Sequence, residues 1–525
     1  MTFRPEGDPA SPIADTAQGA ADRGDLARPP DRPDTGPVPG AVTRFARRHG
    51  LFGAVLLAGA AVRVIALLGF RGPLWTPDST RYIQGAVQLA PSSVRPSGYS
   101  VMLWLLEPLH SLTAVVVLQH LMGLAIGVTG YALLRRTGLP GWGAAAAMVP
   151  VLLSAYAIQL EHFIMSDTLF ALLVMIAVAV MLWWPTPPVW ACALAGLLLA
   201  AAALSRSEGI PLLIVFLVFL VSKSGGWRTA ASVLVMSAAF AIPVAGYAAW
   251  YDLAHGTFEL TSSTGAFLYG GVATFADCAK IRPPDPERQL CLNVPVSERK
   301  WPDYYIWSGP ISSLPGGPFG QPADSLGKSF ALQAIRAQPL DYLRTVSHYF
   351  WKDFLPPPSI HSHDIAERNR AKHLNEFMFP VGSPRQASPQ TARDFSKYDL
   401  AGPGARVVQP YAGWIRAYQR YIIVPGPLLG AIVLGGLGGL TVAWRRFGGP
   451  ALLPWLVGLC LLVAPAAIAE SYPRYLVSDV PLFCVAAALG IQQIAGAAKR
   501  SRAGPESRWR RRLGSRSGRP TPGSR

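Results

Sequence analysis

Long apolar runs, each close to the length that crosses a bilayer, recur from residue 51 to residue 497, broken by polar turns and one long polar stretch. A spanning helix needs roughly 20 mostly apolar residues. The runs at 51–70, 112–134, 141–159, 167–184, 189–205, 209–222, 229–251, 422–444, 450–468 and 475–497 therefore predict about ten transmembrane helices. The run at 209–222 is short, which fits a tilted, re-entrant or tightly paired helix. Residues 97–109 are apolar but brief and predict a helix dipping into the interface. Between the seventh and eighth runs, residues 252–421 are too polar to span and too long for a turn. There Leu332, Ile335, Leu340, Leu343, Val346 and Phe350 repeat by threes and fours, predicting helix over 324–355 that ends at Pro356, Pro357 and Pro358. The expected fold is an all-α polytopic membrane protein, with a mixed loop and helix extracytoplasmic segment before the last three spans.

Basic residues orient the spans. Arg44, Arg47 and Arg48 precede the first, Arg135 and Arg136 follow the second, Lys223 and Arg228 lie between the sixth and seventh, and Arg445 and Arg446 follow the eighth. The positive-inside rule makes all of these cytoplasmic, and alternate loops agree. The expectation is a multi-pass plasma-membrane protein with both termini inside. It divides into a disordered arm (1–42), a transmembrane catalytic half with the first outer loop (43–251), the outer segment (252–421), the last helices (422–498) and a basic disordered tail (499–525). The first apolar run starts too late, and is too long, for a cleavable signal peptide. Much of the net charge of +17 sits in the tail, among Gly, Ser and Pro. Such a run marks topology and attracts anionic lipid, and no fold element presents it to nucleic acid, so no nucleic-acid partner is expected.

With that orientation, nearly every well-placed acid and paired charge falls on the outer face. Ionisable residues are costly in a bilayer and tend to line a site or meet headgroups. In Trp75-Thr-Pro-Asp78-Ser-Thr-Arg81-Tyr82, Asp78 either caps a helix or stands as a general base. Arg95-Pro-Ser-Gly-Tyr99 returns the chain to the membrane. Glu161, His162 and Asp167 open the fourth span, and with Glu470 they make a second acidic cluster. Arg206 and Glu208 break the fifth and sixth spans, an arrangement suited to a phosphodiester or to an internal ion pair. Arg474 precedes the last span, and Arg63, inside the first, must find an anion, a carbonyl or the interface. Asp167, Glu161 and His162 are the candidate ligands for a divalent cation, although their spacing matches no diagnostic metal motif. His361, His363 and Asp364 lie in a Pro-rich stretch and read as a surface loop. Cys192, Cys460 and Cys484 lie in spans, whereas Cys278 and Cys291 lie outside, where an oxidising compartment favours a disulfide.

These motifs, in this order, resemble the C-type (GT-C) membrane glycosyltransferases, more narrowly the protein O-mannosyltransferase and lipid A aminoarabinose transferase group. The resemblance rests on Asp78 and Tyr82, on Arg95-Pro-Ser-Gly-Tyr-Ser100, on Ser166-Asp167-Thr168-Leu169, on Arg206-Ser-Glu208-Gly209, and on Arg474-Tyr-Leu with Pro481-Leu482. It covers about residues 45–498. It implies inverting transfer of one sugar, a mannose or another hexose or pentose, from a polyprenyl phosphate to an extracytoplasmic acceptor hydroxyl. Asp78 would deprotonate the acceptor, and Arg206, Arg474, Arg95 or a cation would neutralise the leaving phosphate. Arg81, Tyr82, Tyr99 and Glu208 would line the site. The alternatives sharing this topology are a transporter or flippase, and a ligase or polymerase, of lipid-linked glycans.

Overall fold

Every apolar run expected to span is helical in the structure, a computed structural model. It describes residues 41–223, 225–356, 378–380, 384, 389–396, 398–399, 404–443, 449–470 and 472–502. Most of the expected arm and tail, with His361, His363 and Asp364, lie outside those residues. The helices used below are α1 (Ala41–Gly69), α2 (Pro77–Gln88), α3 (Gly98–Leu106), α4 (Leu112–Arg136), α5 (Gly141–Leu153), α6 (Ala155–Leu160), α7 (Asp167–Leu182), α8 (Val189–Ser205), α9 (Leu212–Lys223) and α10 (Trp227–His255). There follow α11 (Thr264–Ala273), α12 (Pro302–Ser308), α13 (Gln321–Ala337), α14 (Pro339–Lys352), α15 (Tyr411–Gln419), α16 (Gly426–Val442), α17 (Leu452–Ile468) and α18 (Leu476–Arg502). Among the described residues, five helices are long and apolar enough to cross a membrane. They are α1 from Arg48, α4, α10, α17 extended back to Gly449, and α18 extended back to Pro473. The remaining apolar runs form helices of 17 residues or fewer. Residues Met1–Arg47 and Arg48–Arg525 form separate units, and the site lies wholly in the second.

The third expected span is two helices. α5 carries Pro150 and gives way to α6 at Ser154. Carbonyls freed at such a break need partners in an apolar bundle. Arg63 Nη1 donates to the Leu152 carbonyl at 2.8 Å, the Tyr418 hydroxyl donates to Leu153, and Ala155 N donates to the Ile422 carbonyl at 2.8 Å. Glycine sets the closest helix approach: a Cβ on Gly439 of α16 would stand 2.1 Å from the Gly490 Cα of α18.

In the outer segment α11 packs on α13, where a Cβ on Gly265 would meet the Asp324 carbonyl at 1.9 Å. The Cys278 and Cys291 sulfurs are 2.02 Å apart, bonded to each other. The helix expected over 324–355 is instead α13 and α14. Pro339, overlooked in the apolar periodicity, cannot continue a helix but suits the first turn of the next. A two-residue antiparallel pair, Phe70–Arg71 with Arg406–Val407, ties the end of α1 to the chain before α15.

Candidate functional site

The turn after α1 makes Asp78 available. Thr76, not Asp78, caps α2: its hydroxyl accepts from Ser79 N, and Ser79 answers in a capping box. Asp78, in the first helical turn, is left to face other elements. Its Oδ2 accepts from Arg95 Nη2 at 3.2 Å and from Arg474 Nη1 at 3.0 Å. Residues 17 and 396 positions away thus meet one carboxylate. Burial alone would push the Asp78 carboxyl up, but the Arg95 and Arg474 guanidinium groups outweigh it and hold it well below the usual carboxylate range.

A second ion-paired group lies beside the first. Arg206, extended at the end of α8, donates to Asp167 at the start of α7 and, at 3.1 Å, to Glu208 Oε1. Burial opposes ionisation of Glu208, and Arg206 overcomes it, lowering the carboxyl to about 2. Tyr475 joins the two groups: the guanidinium carbons of Arg206 and Arg474 each lie 5.1 Å from its ring centroid. Arg206 and Asp167 are buried, and the Asp78 side chain is only one-fifth exposed. In this near-dry cluster three carboxylates (Asp78, Asp167, Glu208) face three arginines (Arg95, Arg206, Arg474).

Arg81, three residues after Asp78 on α2, is different. Among the described residues no ion pair or hydrogen bond involves its guanidinium, which lies 5.8 Å from the Phe319 ring centroid, toward the outer segment. Tyr82 is buried, its hydroxyl 2.8 Å from Ser166 Oγ.

Four expected site residues lie elsewhere. Tyr99 points into the core and donates to Gln119 Oε1 at 2.7 Å, because the apolar α3 packs against α2 and carries the ring inward. Glu161 is held by Arg63 through two hydrogen bonds (2.7 and 2.6 Å) and lies 2.8 Å from His120 Nδ1. His162 uses both ring nitrogens, toward His120 at 3.1 Å and the Phe70 carbonyl at 2.8 Å. Glu470 pairs with Lys352 at 2.9 Å. The proposed second acidic cluster is thus divided among three cations: Asp167 with Arg206, Glu161 with Arg63, Glu470 with Lys352. Among the described residues no three His, Cys, Asp or Glu side chains gather as metal ligands.

An apolar groove opens beside Arg474. Pro473 and Leu476, its neighbours in the chain, line it with Val480, Val151, Tyr156 and Leu429, and Lys352 and Asp353 are its charged members. Sequence reasoning missed three groups near these networks: Lys352, His120 and Asp479. The last two were visible as the only Asp, Glu, His, Lys or Arg side chains in the apolar stretches of α4 and α18, before the basic ends.

No family model and no curated protein matches the chain. Among solved structures the likeness is to an oligosaccharyltransferase and to ArnT. The Archaeoglobus fulgidus oligosaccharyltransferase in its apo form aligns at TM-score 0.38 and 13% identity over 86% of this chain and 51% of that one. ArnT from Cupriavidus metallidurans, bound to undecaprenyl phosphate, aligns at 0.33 and 15% over 86% and 79%. The chain spans about half the length of the oligosaccharyltransferase.

Proposed function

We propose that the protein is a GT-C-type glycosyltransferase that moves a single sugar, with inversion, from a polyprenyl phosphate to an acceptor hydroxyl on the extracytoplasmic side of the membrane. The supporting observation is the charge arrangement at one end of an apolar groove. Three arginines are ion-paired with three carboxylates, and among the described residues Arg81 alone of these site cations makes no ion pair, with Asp78 as its neighbouring anion. A lipid phosphodiester brings one negative charge and a long apolar tail. The groove suits the tail, and Arg81 with a displaceable Arg474 suits the phosphate.

The same arrangement explains how a carboxylate with so low a proton affinity serves as a base. While Arg95 and Arg474 hold it, Asp78 is a poor proton acceptor. A donor phosphate competing for Arg474 would loosen that hold and restore basicity when a substrate is present. Asp78 then takes the acceptor proton as the acceptor oxygen bonds to the anomeric carbon. The bond from that carbon to the phosphate oxygen breaks, and the polyprenyl phosphate leaves on arginine. Transporters place their charged residues near the bilayer midplane, whereas these lie at helix ends.

The test is transfer by the purified protein in liposomes, using radiolabelled polyprenyl-phosphate mannose, glucose and arabinose with extracted envelope acceptors. Label should pass to the acceptor from at least one donor, and Arg81→Ala should raise the KM for that donor about tenfold through loss of one charge-assisted contact. Failure of all three donors, with bare polyprenyl phosphate also failing to bind, removes the reading.

A pH prediction follows from the ion pairs. Because the Asp78 carboxyl is held low, it stays ionised as pH falls. Free-enzyme kcat/KM should therefore stay flat from about pH 7 to about pH 5, while kcat, reporting the donor-bound state, should fall at a higher pH. Coincident acid limbs would show that the donor leaves the arginine clamp intact.

A further inference from the structure

The outer segment reaches the site through a turn whose conformation its sequence dictates. In Pro315-Gly316-Gly317-Pro318-Phe319-Gly320, Gly316 and Gly317 stand at φ of 81° and 71°, a left-handed region that residues with a side chain rarely adopt. Pro318 fixes its own φ, and a Cβ on Gly320 would stand 2.6 Å from the Pro315 carbonyl oxygen. The turn is thus closed tightly on itself and delivers Phe319 at its end. That ring is buried, with the Trp307 ring of α12 edge-on at 5.3 Å and the Phe267 ring of α11 at 5.9 Å.

The two phenylalanines lie over two site arginines. The guanidinium carbon of Arg81 is 5.8 Å from the Phe319 ring centroid, and that of Arg95 is 5.6 Å from the Phe267 centroid. Both distances fall within the roughly 6 Å over which a ring face attracts a cation. Arg95, Arg206 and Arg474 are each fixed by a carboxylate as well. Arg81 makes no ion pair among the described residues, so the Phe319 ring is the contact that orients it. A carboxylate holds a guanidinium by its N–H groups, whereas a ring holds the cation and leaves those N–H groups for an incoming acceptor. A loose arginine would surrender its rotamer freedom on binding, which lowers affinity. We infer that Phe319 is a positioning residue, holding the Arg81 guanidinium ready for the lipid phosphate and giving the outer segment a part in donor binding. This assignment rests on the donor reading above.

The experiment measures binding of bare polyprenyl phosphate to the full-length protein in nanodiscs, with mono-, di- and trifluorophenylalanine in place of Phe319. Fluorine draws electron density from the ring face while barely changing its size, so packing is kept and the attraction to a cation weakens stepwise. Affinity should fall with each added fluorine, to about fivefold below wild type for the trifluoro ring. In an Arg81→Ala background, itself about tenfold weaker, the same series should change nothing. A flat series with Arg81 present overturns the assignment and leaves the donor reading standing. An equal fall in both backgrounds also overturns it, because the effect then does not pass through Arg81. A wild type that binds no polyprenyl phosphate overturns this assignment and the donor reading together.

Discussion

Asp78→Asn is expected to lower transfer by about 10²- to 10⁴-fold, the range for losing a positioned general base. The substitution keeps the size and planar shape of the side chain, so protein level and membrane insertion should stay at wild-type values. Donor binding should move the other way. In the free protein Asp78 occupies Arg474 and Arg95, and its carboxylate competes with an incoming phosphate for the same guanidinium groups. An amide competes weakly, because a charge-assisted hydrogen bond is roughly twice as strong as a neutral one. The variant should therefore bind bare polyprenyl phosphate several-fold more tightly while turning over far more slowly. A residue that only braces the two arginines predicts the opposite, looser donor binding together with lower activity. Full activity in Asp78→Asn would end the base assignment outright.

How much of this was readable beforehand depends on the kind of force involved. Helix placement follows from apolar length, so all ten runs were legible, including the short one at α9. What stayed hidden was where helices break. The division at Ser154 depends on Arg63 and Tyr418 arriving from distant segments to take the freed carbonyls, which no local pattern reveals. For the site, order and sidedness of the motifs pointed to Asp78, Arg206 and Arg474, and Asp78 does meet Arg474 while Arg206 lies across the Tyr475 ring. Partner choice was not legible. Asp167 and Glu161 are both acids near the start of α7, six residues apart, yet the turn between them sends one to Arg206 and the other to Arg63. Asp479 carried a signal that went unused: a single acid in an otherwise apolar spanning run is a functional candidate on cost alone.

Glu161→Ala should damage the fold and spare the chemistry. Glu161 and Arg63 are each 2% exposed, joined by two hydrogen bonds, with Arg63 inside the first span. The surroundings are shaped around the pair: a Cβ on Gly123 of α4 would stand 1.9 Å from Glu161 Oε1. Removing the carboxylate leaves a guanidinium buried with carbonyl partners only, and breaking a buried pair this way costs about 3–5 kcal/mol. That is a large share of the roughly 5–15 kcal/mol that holds a typical domain together. The variant should accumulate poorly and unfold at a clearly lower temperature in detergent. The fraction that folds should bind bare polyprenyl phosphate normally, since Arg81, Arg474 and Arg206 are untouched. Removing both charges, as Arg63→Met with Glu161→Leu, should recover part of the loss, because the penalty comes from the orphaned charge more than from the missing bond. A Glu161→Ala protein as stable as wild type but catalytically dead would reverse this assignment and return Glu161 to the site.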